Sequence, residues 1–315
     1  MKAGEPAGPG LVNWALISCL GLLWGASFMG VTLALDGFGP LSVAAYRIAL
    51  AAVVLLAVTR VMGIALPSPA TAEGRAVLPF AIGMGLFSNA FPFFLLSWGQ
   101  QHVASGFAGI TMSAIPLLVL PLAHLFVPGE QLTARKGLGF AIGFVGVVIL
   151  IGPGAFRSAG GDLEGLARLA CLAAAACYAI GAILTRRCPP VHPIAFGAVA
   201  LSVATALLLP VALWREGLAT APGTVPLLAI LYLGLGPTAL ATLILVRVIR
   251  SAGPSFLSLT NYKVPVWSVI FGAVFLGERL PPQFLAALAV ILAGLAISQL
   301  RMWKRGFRAP APGGR

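Results

Sequence analysis

The sequence predicts an all-α membrane protein of ten transmembrane helices, written as two five-helix repeats that enter the bilayer in opposite senses. Three observations carry that prediction. Of 315 residues, 59% are hydrophobic and only 9% charged, whereas a soluble domain carries roughly 25% charged residues; the chain lacks the polar surface to face water on all sides. Apolar stretches recur along its whole length with short loops between them, none able to fold as a separate soluble domain. One of those stretches is written twice.

Apolar runs of about 17–25 residues suffice to cross a bilayer. In order they are Asn13–Ala34, Leu41–Thr59, Ala76–Trp98, Ala104–Val127, Gly137–Gly152, Leu166–Thr185, Pro193–Trp214, Val225–Val246, Ser255–Leu276 and Pro282–Leu300. Each should be helical, since an open sheet edge or bare loop in lipid leaves backbone groups unpaired. Residues 1–12 read as a cytoplasmic tail rich in Gly and Pro with one lysine, too weakly charged for a cleavable leader. Residues 13–152 and 163–300 are the two repeats, and 301–315 form a basic cytoplasmic tail.

The repeated stretch runs from Gly106 to Leu132 and again from Gly253 to Leu280. Pro116 is followed after 14 residues by Glu130 in Gly129-Glu130-Gln131, and Pro265 after 13 by Glu278 in Gly277-Glu278-Arg279. The offset is near 150 residues, and a further apolar span follows each glutamate. Lysine and arginine orient the chain: with a cytoplasmic N-terminus, 14 lie inside and four (Arg157, Arg168, Arg215, Arg279) outside, leaving Arg47 and Lys263 within the membrane. That bias places both termini in the cytoplasm and suits a multi-pass plasma-membrane protein. Five is odd, so the second repeat enters upside down, with Glu130 at the cytoplasmic face and Glu278 at the outer one. Inverted repeats of this kind mark secondary transporters.

The net charge of +12 does not imply nucleic acid, because the basic residues sit at segment ends and are not interleaved with aromatics. Cys19, Cys171, Cys177 and Cys188 offer neither a disulfide framework nor metal-site spacing. The expected partners are a small-molecule substrate and the lipid bilayer, with no cofactor and no metal; monomer and homodimer both stand.

With these residues in view, the chain resembles the ten-helix EamA-type transporters of the drug/metabolite transporter superfamily. The resemblance covers about Leu16 to Leu300. It rests on Trp24-Gly25-Ala26-Ser27-Phe28, Arg47, Pro116 with Gly129-Glu130, and Asn261-Tyr262 with Pro265 and Gly277-Glu278. It implies two inverted repeats around a central cavity, transport without ATP, and substrates such as amino acids, other small metabolites or drugs, often exported. Where relatives commonly carry an aliphatic residue between the tyrosine and proline of the ninth span, this chain has Lys263.

Candidate substrate-binding residues are the polar and aromatic groups inside spans: Trp24 and Ser27 in the first, Asn89 in the third, Tyr178 in the sixth, Thr238 in the eighth, and Thr260, Lys263 and Trp267 in the ninth. Trp24, Ser27 and Phe28 share a face, as do Asn89 and Phe93, and Thr238 and Thr242. The lysine face of the ninth helix, Thr260–Lys263–Trp267, is chosen over Asn261, about 200° away. Each has a plainer reading. Ser, Thr and Asn serve helix–helix hydrogen bonds, Lys263 and Arg47 snorkel toward a membrane face, and Pro116 and Pro265 kink helices for packing rather than free the carbonyls of Met112 and Asn261. Gly139 with Gly143, and Ala289 with Ala293, read as close-packing seams.

No Asp or Glu lies mid-span, so proton coupling through a membrane carboxylate lacks its usual residue. No catalytic constellation is present: no paired carboxylates, no His-rich metal spacing, no Ser/His/Asp set in the spans. The reading is a secondary transporter, an exporter of a small metabolite such as an amino acid or another amphipathic solute, anionic ones included, working by alternating access. Uptake of an anionic metabolite is the alternative within the class, and a membrane-embedded enzyme the disfavoured one outside it.

Overall fold

The computed structural model describes residues 10–152 and 163–306. Most of both predicted tails, with Lys2, Arg308 and Arg315, and the loop bearing Arg157 lie outside the described residues. The described chain is helical, with no strand. Its helices are α1 (Leu11–Leu35), α2 (Pro40–Val61), α3 (Ala72–Gly99), α4 (Ser105–Phe126), α5 (Ala134–Ile151), α6 (Glu164–Arg187), α7 (Pro193–Arg215), α8 (Thr224–Ala252), α9 (Thr260–Leu276) and α10 (Pro282–Gly306). Among the described residues, α1 through α8 are long and apolar enough to cross a membrane. The final pair is also apolar, but α9 has 17 residues and the apolar part of α10 is Pro282–Ser298.

Local sequence sets the boundaries. Pro40, Pro193 and Pro282 open their helices, where the missing N–H costs nothing and the fixed φ is already helical. The Thr71 hydroxyl accepts from Gly74 N at 3.0 Å and caps α3. The glycine of each Gly-Glu motif has a left-handed backbone, φ +81° at Gly129 and +67° at Gly277, which lets the chain turn sharply into the glutamate.

Three interior departures matter. In α3 and α8 the helix widens into π turns, Gly85–Ala90 and Gly234–Leu240. Each has a polar side chain on the carbonyl five residues back: Asn89 Nδ2 donates to Met84 O at 3.2 Å, and Thr238 Oγ1 to Leu233 O at 2.7 Å. In α4 a tight turn, Met112–Ala114, precedes Pro116. The predicted continuous span Ser255–Leu276 is interrupted instead: one turn, Pro254–Leu257, precedes α9. Between them the backbone tightens to bonds three residues apart, Leu259 N to Phe256 O and Asn261 N to Ser258 O, both 3.1 Å. Pro265 has no N–H to hold the Asn261 carbonyl, so the start of the helix is not locked into α geometry.

Helices pair between halves: α5 with α10, α2 with α7, α1 with α9 and with α8, α4 with α6, and α3 with α6 and α7. Glycine permits the closest approach. A Cβ at Gly139 would lie 2.5 Å from Gly294 O, one at Gly146 2.7 Å from Ile291, and one at Gly21 2.8 Å from the Lys263 Cβ. The Gly139–Gly143 seam expected from sequence therefore exists, but its partner on α10 is Gly294 with Ser298. Ala289 and Ala293 are exposed on the other side of that helix, which corrects their reading as a seam. Two cores result. One gathers Phe107, Ile110, Leu117, Leu150 and Ile291 from α4, α5 and α10 with part of α6; the other gathers Ile48, Leu55, Ala198 and Leu201 from α2 and α7 with parts of α3 and α8. Tyr178 packs against both.

Candidate functional site

Between the two cores lies a cavity of about 380 Å³, a size that accepts a small solute. Every interior helix departure contributes to it. The π turns bring in Ser88, Asn89, Pro237 and Thr238, the interrupted α4 brings Met112 and Ile115, and the start of α9 brings Asn261, Val264 and Pro265. Broken helices recur at such sites because backbone groups freed from the ladder must face a polar or hydrated space rather than lipid. Much of the remaining wall is aromatic and apolar, with Trp24, Phe28 and Val31 from α1, Phe93 and Leu96 from α3 and Tyr178 from α6. The Trp24 indole donates to Pro237 O at 3.0 Å, fixing α1 against the π turn of α8.

The cavity is deeper toward one end of the bundle. Val31, Arg47, Leu96 and Gln100, all toward the C-terminal end of α1, are buried, whereas Met84, Ser88, Thr242, Leu245 and Asn261 keep partial exposure. At the closed end two carboxylates reach across to helix N-termini. Glu278 accepts from Ser105 N at 2.6 Å and Gly106 N at 3.0 Å, capping α4; Glu216 accepts from Leu41 N at 3.0 Å and Ser42 N at 2.8 Å, capping α2. A carboxylate at a helix N-terminus meets both unpaired N–H groups and the positive end of the dipole. Glu130, beyond the far end of α4, caps no helix. It accepts from Lys136 Nζ at 3.2 Å and Arg186 at 3.1 Å, and the Lys136 hydrogen bond, with Arg186 adding to it, holds its carboxyl below the ordinary carboxylate value.

Of the residues proposed from sequence, Trp24, Ser27, Asn89, Tyr178 and Thr238 line the cavity. Thr260, Lys263 and Trp267 do not. Lys263 Nζ donates to Ser18 Oγ at 2.7 Å and stands 5.7 Å from the Trp14 ring centroid, so its charge runs along α1 toward the open end. Trp267 lies against Gly25, and Thr260 is buried. The opposite face of α9, with Asn261, is the one turned to the cavity. Sequence reasoning also set Arg47 aside as a snorkelling group. The structure buries it to 5% exposure in the cavity wall, its guanidinium 3.9 Å above the Phe93 ring and one amine donating to Thr238 Oγ1 at 3.2 Å. The available signal was its isolation in an apolar span; Gln100, at a helix end, gave none.

Comparison with known proteins fits this architecture. The sequence pattern of the EamA-like transporter family matches residues 12–152 and again 165–299. The chain belongs to the EamA-like transporter family. Curated relatives that it matches run along nearly the same length. An uncharacterized inner membrane transporter of Escherichia coli strain K12, YedA, is 26% identical over 89% of this chain and 88% of the relative. A probable terminal-alkyne amino-acid exporter of Streptantibioticus cattleyicolor is 27% identical over 96% of this chain and 98% of the relative. An S-adenosylmethionine/S-adenosylhomocysteine transporter of Chlamydia trachomatis serovar L2 is 27% identical over 93% and 90%. One solved crystal structure superposes with a TM-score of 0.65 at 22% identity, covering 94% of this chain and 99% of the other; it speaks for the fold alone. As a member of the EamA-like family, the protein is a membrane-embedded transporter.

Proposed function

We propose that the protein is a secondary transporter that exports a small metabolite, an amino acid or another amphipathic solute, by alternating access of the central cavity, and that it is a carrier rather than an enzyme. The observation that carries this is the cavity itself: it is walled by the broken stretches of α3, α4, α8 and α9 and closed at one end only. Relatives named as an amino-acid exporter and an S-adenosylmethionine transporter support a small, amphipathic cargo. Trp24, Ser27, Asn89, Tyr178 and Thr238 are the proposed contacts.

Ten transmembrane helices in two inverted repeats, 13–152 and 163–300, form the carrier. Three matches support the repeat. The π turns of α3 and α8 carry Asn89 and Thr238 in the same bonding role; the family pattern matches twice; and helix pairings such as α3–α6 and α8–α1 exchange when one half is put in place of the other. Both termini are then cytoplasmic, and the closed end of the cavity faces outward. Two measurements test the reading. Cysteines at Glu130 and Glu278 should label from opposite sides of the membrane, and labelling from one side ends the inverted arrangement. Cells overproducing the protein should accumulate specific solutes in the medium, reproduced by flux in proteoliposomes; absence of any protein-dependent flux across a metabolite panel would sink the transporter reading for this cavity.

A further inference from the structure

We infer that Arg47 is the anion-binding group of the cavity and that the solute carried bears a single carboxylate on an apolar or aromatic body. This deepens the transporter reading and rests on it for the word "carried".

The inference starts from what the charge lacks. A buried guanidinium has five N–H donors and no acceptor. Here one amine reaches Thr238 Oγ1 at 3.2 Å, and the plane stands 3.9 Å from the Phe93 centroid. Nε has no partner, although Arg47 is only 5% exposed. Thr238 cannot neutralise it: its own hydrogen goes to Leu233 O at 2.7 Å, so it offers Arg47 a neutral oxygen only. Phe93 offers a quadrupole, not a charge. No Asp or Glu is among the described residues lining the cavity. A buried charge is ordinarily paired, and this one lies in the cavity wall with no carboxylate of the chain among the lining residues. Gln100 is the second unpaired donor there. It is 6% exposed, its oxygen is taken by Thr32 Oγ1 at 3.3 Å, and its Nε2 is unpartnered. Two unpaired donors and no acidic group describe a site made for acceptor oxygens.

The number of charges chooses the anion. One cation matches one negative charge. A phosphate monoester, near −2 at neutral pH, would leave a net negative charge in a low-dielectric wall, whereas a carboxylate cancels Arg47 and can take two of its parallel N–H groups. Trp24, Phe28, Phe93, Leu96 and Met112 then receive the rest of the molecule. Tyr178 bridges both cores at the same wall, so closing around the solute would be felt by both halves.

The test is ligand-induced stabilisation of the purified full-length protein in nanodiscs, with phenylacetate and N-acetyl-L-phenylalanine as probes, against their amides, phenethylamine and phenyl phosphate. The acids should raise Tm saturably by about 2 °C or more, by binding the native state alone, while the amides and the amine leave it in place. Arg47→Gln should melt at the wild-type temperature or above, since it removes an unpaired buried charge, yet lose the acid response. Arg47→Lys should keep a response with apparent affinity weakened about tenfold, because a lysine cannot offer the planar fork. Equal stabilisation by amides, an unchanged acid response in Arg47→Gln, no response of the wild type to either acid, or a stronger response to phenyl phosphate would each overturn the assignment. Should Arg47→Gln fail to fold, the acid–amide contrast on the wild type and the Arg47→Lys response still decide it. Proteoliposomes separate this inference from the reading beneath it. Flux of the amine or amides without the acids would leave a transporter standing and remove the anion site; Arg47-dependent acid binding with no flux of any solute would do the reverse.

Discussion

Glu278 and Glu130 follow the same left-handed glycine and close equivalent stretches, yet they hold different things. Glu278 binds two backbone N–H groups of α4, and Glu216 does the same for α2, so the closed end of the cavity is fastened main chain to side chain. Glu130 is held by the flexible ends of Lys136 and Arg186. The difference comes from what stands opposite. α4 begins cleanly at Ser105 and presents unpaired donors, whereas the corresponding start of α9 is interrupted at Leu257 and turns Asn261 to the cavity. A helix N-terminus fixes a carboxylate's position, while two long side chains let it drift. The fastened end is the one under which Val31, Leu96 and Gln100 are buried. Opening the cavity at this end would require these four hydrogen bonds to break.

The largest expected effect follows from removing those bonds. Glu278→Ala strands Ser105 N and Gly106 N at a helix end and should cost about 2 kcal/mol, the usual penalty for unsatisfied donors of this kind. Glu216→Ala should act similarly on α2. In a background without the four native cysteines, Gln100→Cys should be protected from an impermeant maleimide in the otherwise unaltered chain and become labelled from outside when both glutamates are replaced. Unchanged protection in that double variant would mean that the caps do not hold the closed end.

A smaller effect is expected at the open end, where Lys263 ties α9 to α1 through Ser18. Lys263→Met exchanges one side-chain tether for apolar contact of similar length and should shift stability by no more than about 1 kcal/mol, in the range of a single hydrogen bond, leaving the acid response of the cavity intact. Loss of that response with stability unchanged would return Lys263 to the binding site. The case shows where sequence stops. Helix class, the approximate spans and the repeated motif were legible because they depend on composition and spacing. The facing of Lys263 and Asn261 was not, because it depends on how a proline-containing helix starts, and an ideal 100° per residue cannot supply that. Arg47 was misjudged for a related reason. Distance from a span end says how far a side chain must reach, but not that Phe93 and Thr238 stand ready to hold it inside. The π turns at Asn89 and Thr238 left no trace that periodicity could find, since one extra residue per turn leaves a mostly apolar stretch looking the same.

The smallest effect sharpens the comparison through pH. Lys136 and Arg186 hold the Glu130 carboxyl below its ordinary value of 4.5. A depressed carboxylate pKa contributes stability that is complete above the unfolded value and is lost as pH falls through the folded one. The Tm difference between wild type and Glu130→Gln should therefore stay constant from pH 8 to well above 4.5, shrink below it, and vanish once the native carboxyl is protonated. It should be small throughout, since all three side chains are about a third or more exposed and surface ion pairs are screened. Raising ionic strength to about 0.5 M should reduce the neutral-pH difference further, while the Glu278→Ala cost, which comes from stranded backbone donors, should barely change. A salt-sensitive Glu278 effect equal to that of Glu130 would make the two ends alike and remove the distinction between a backbone cap and a side-chain pair.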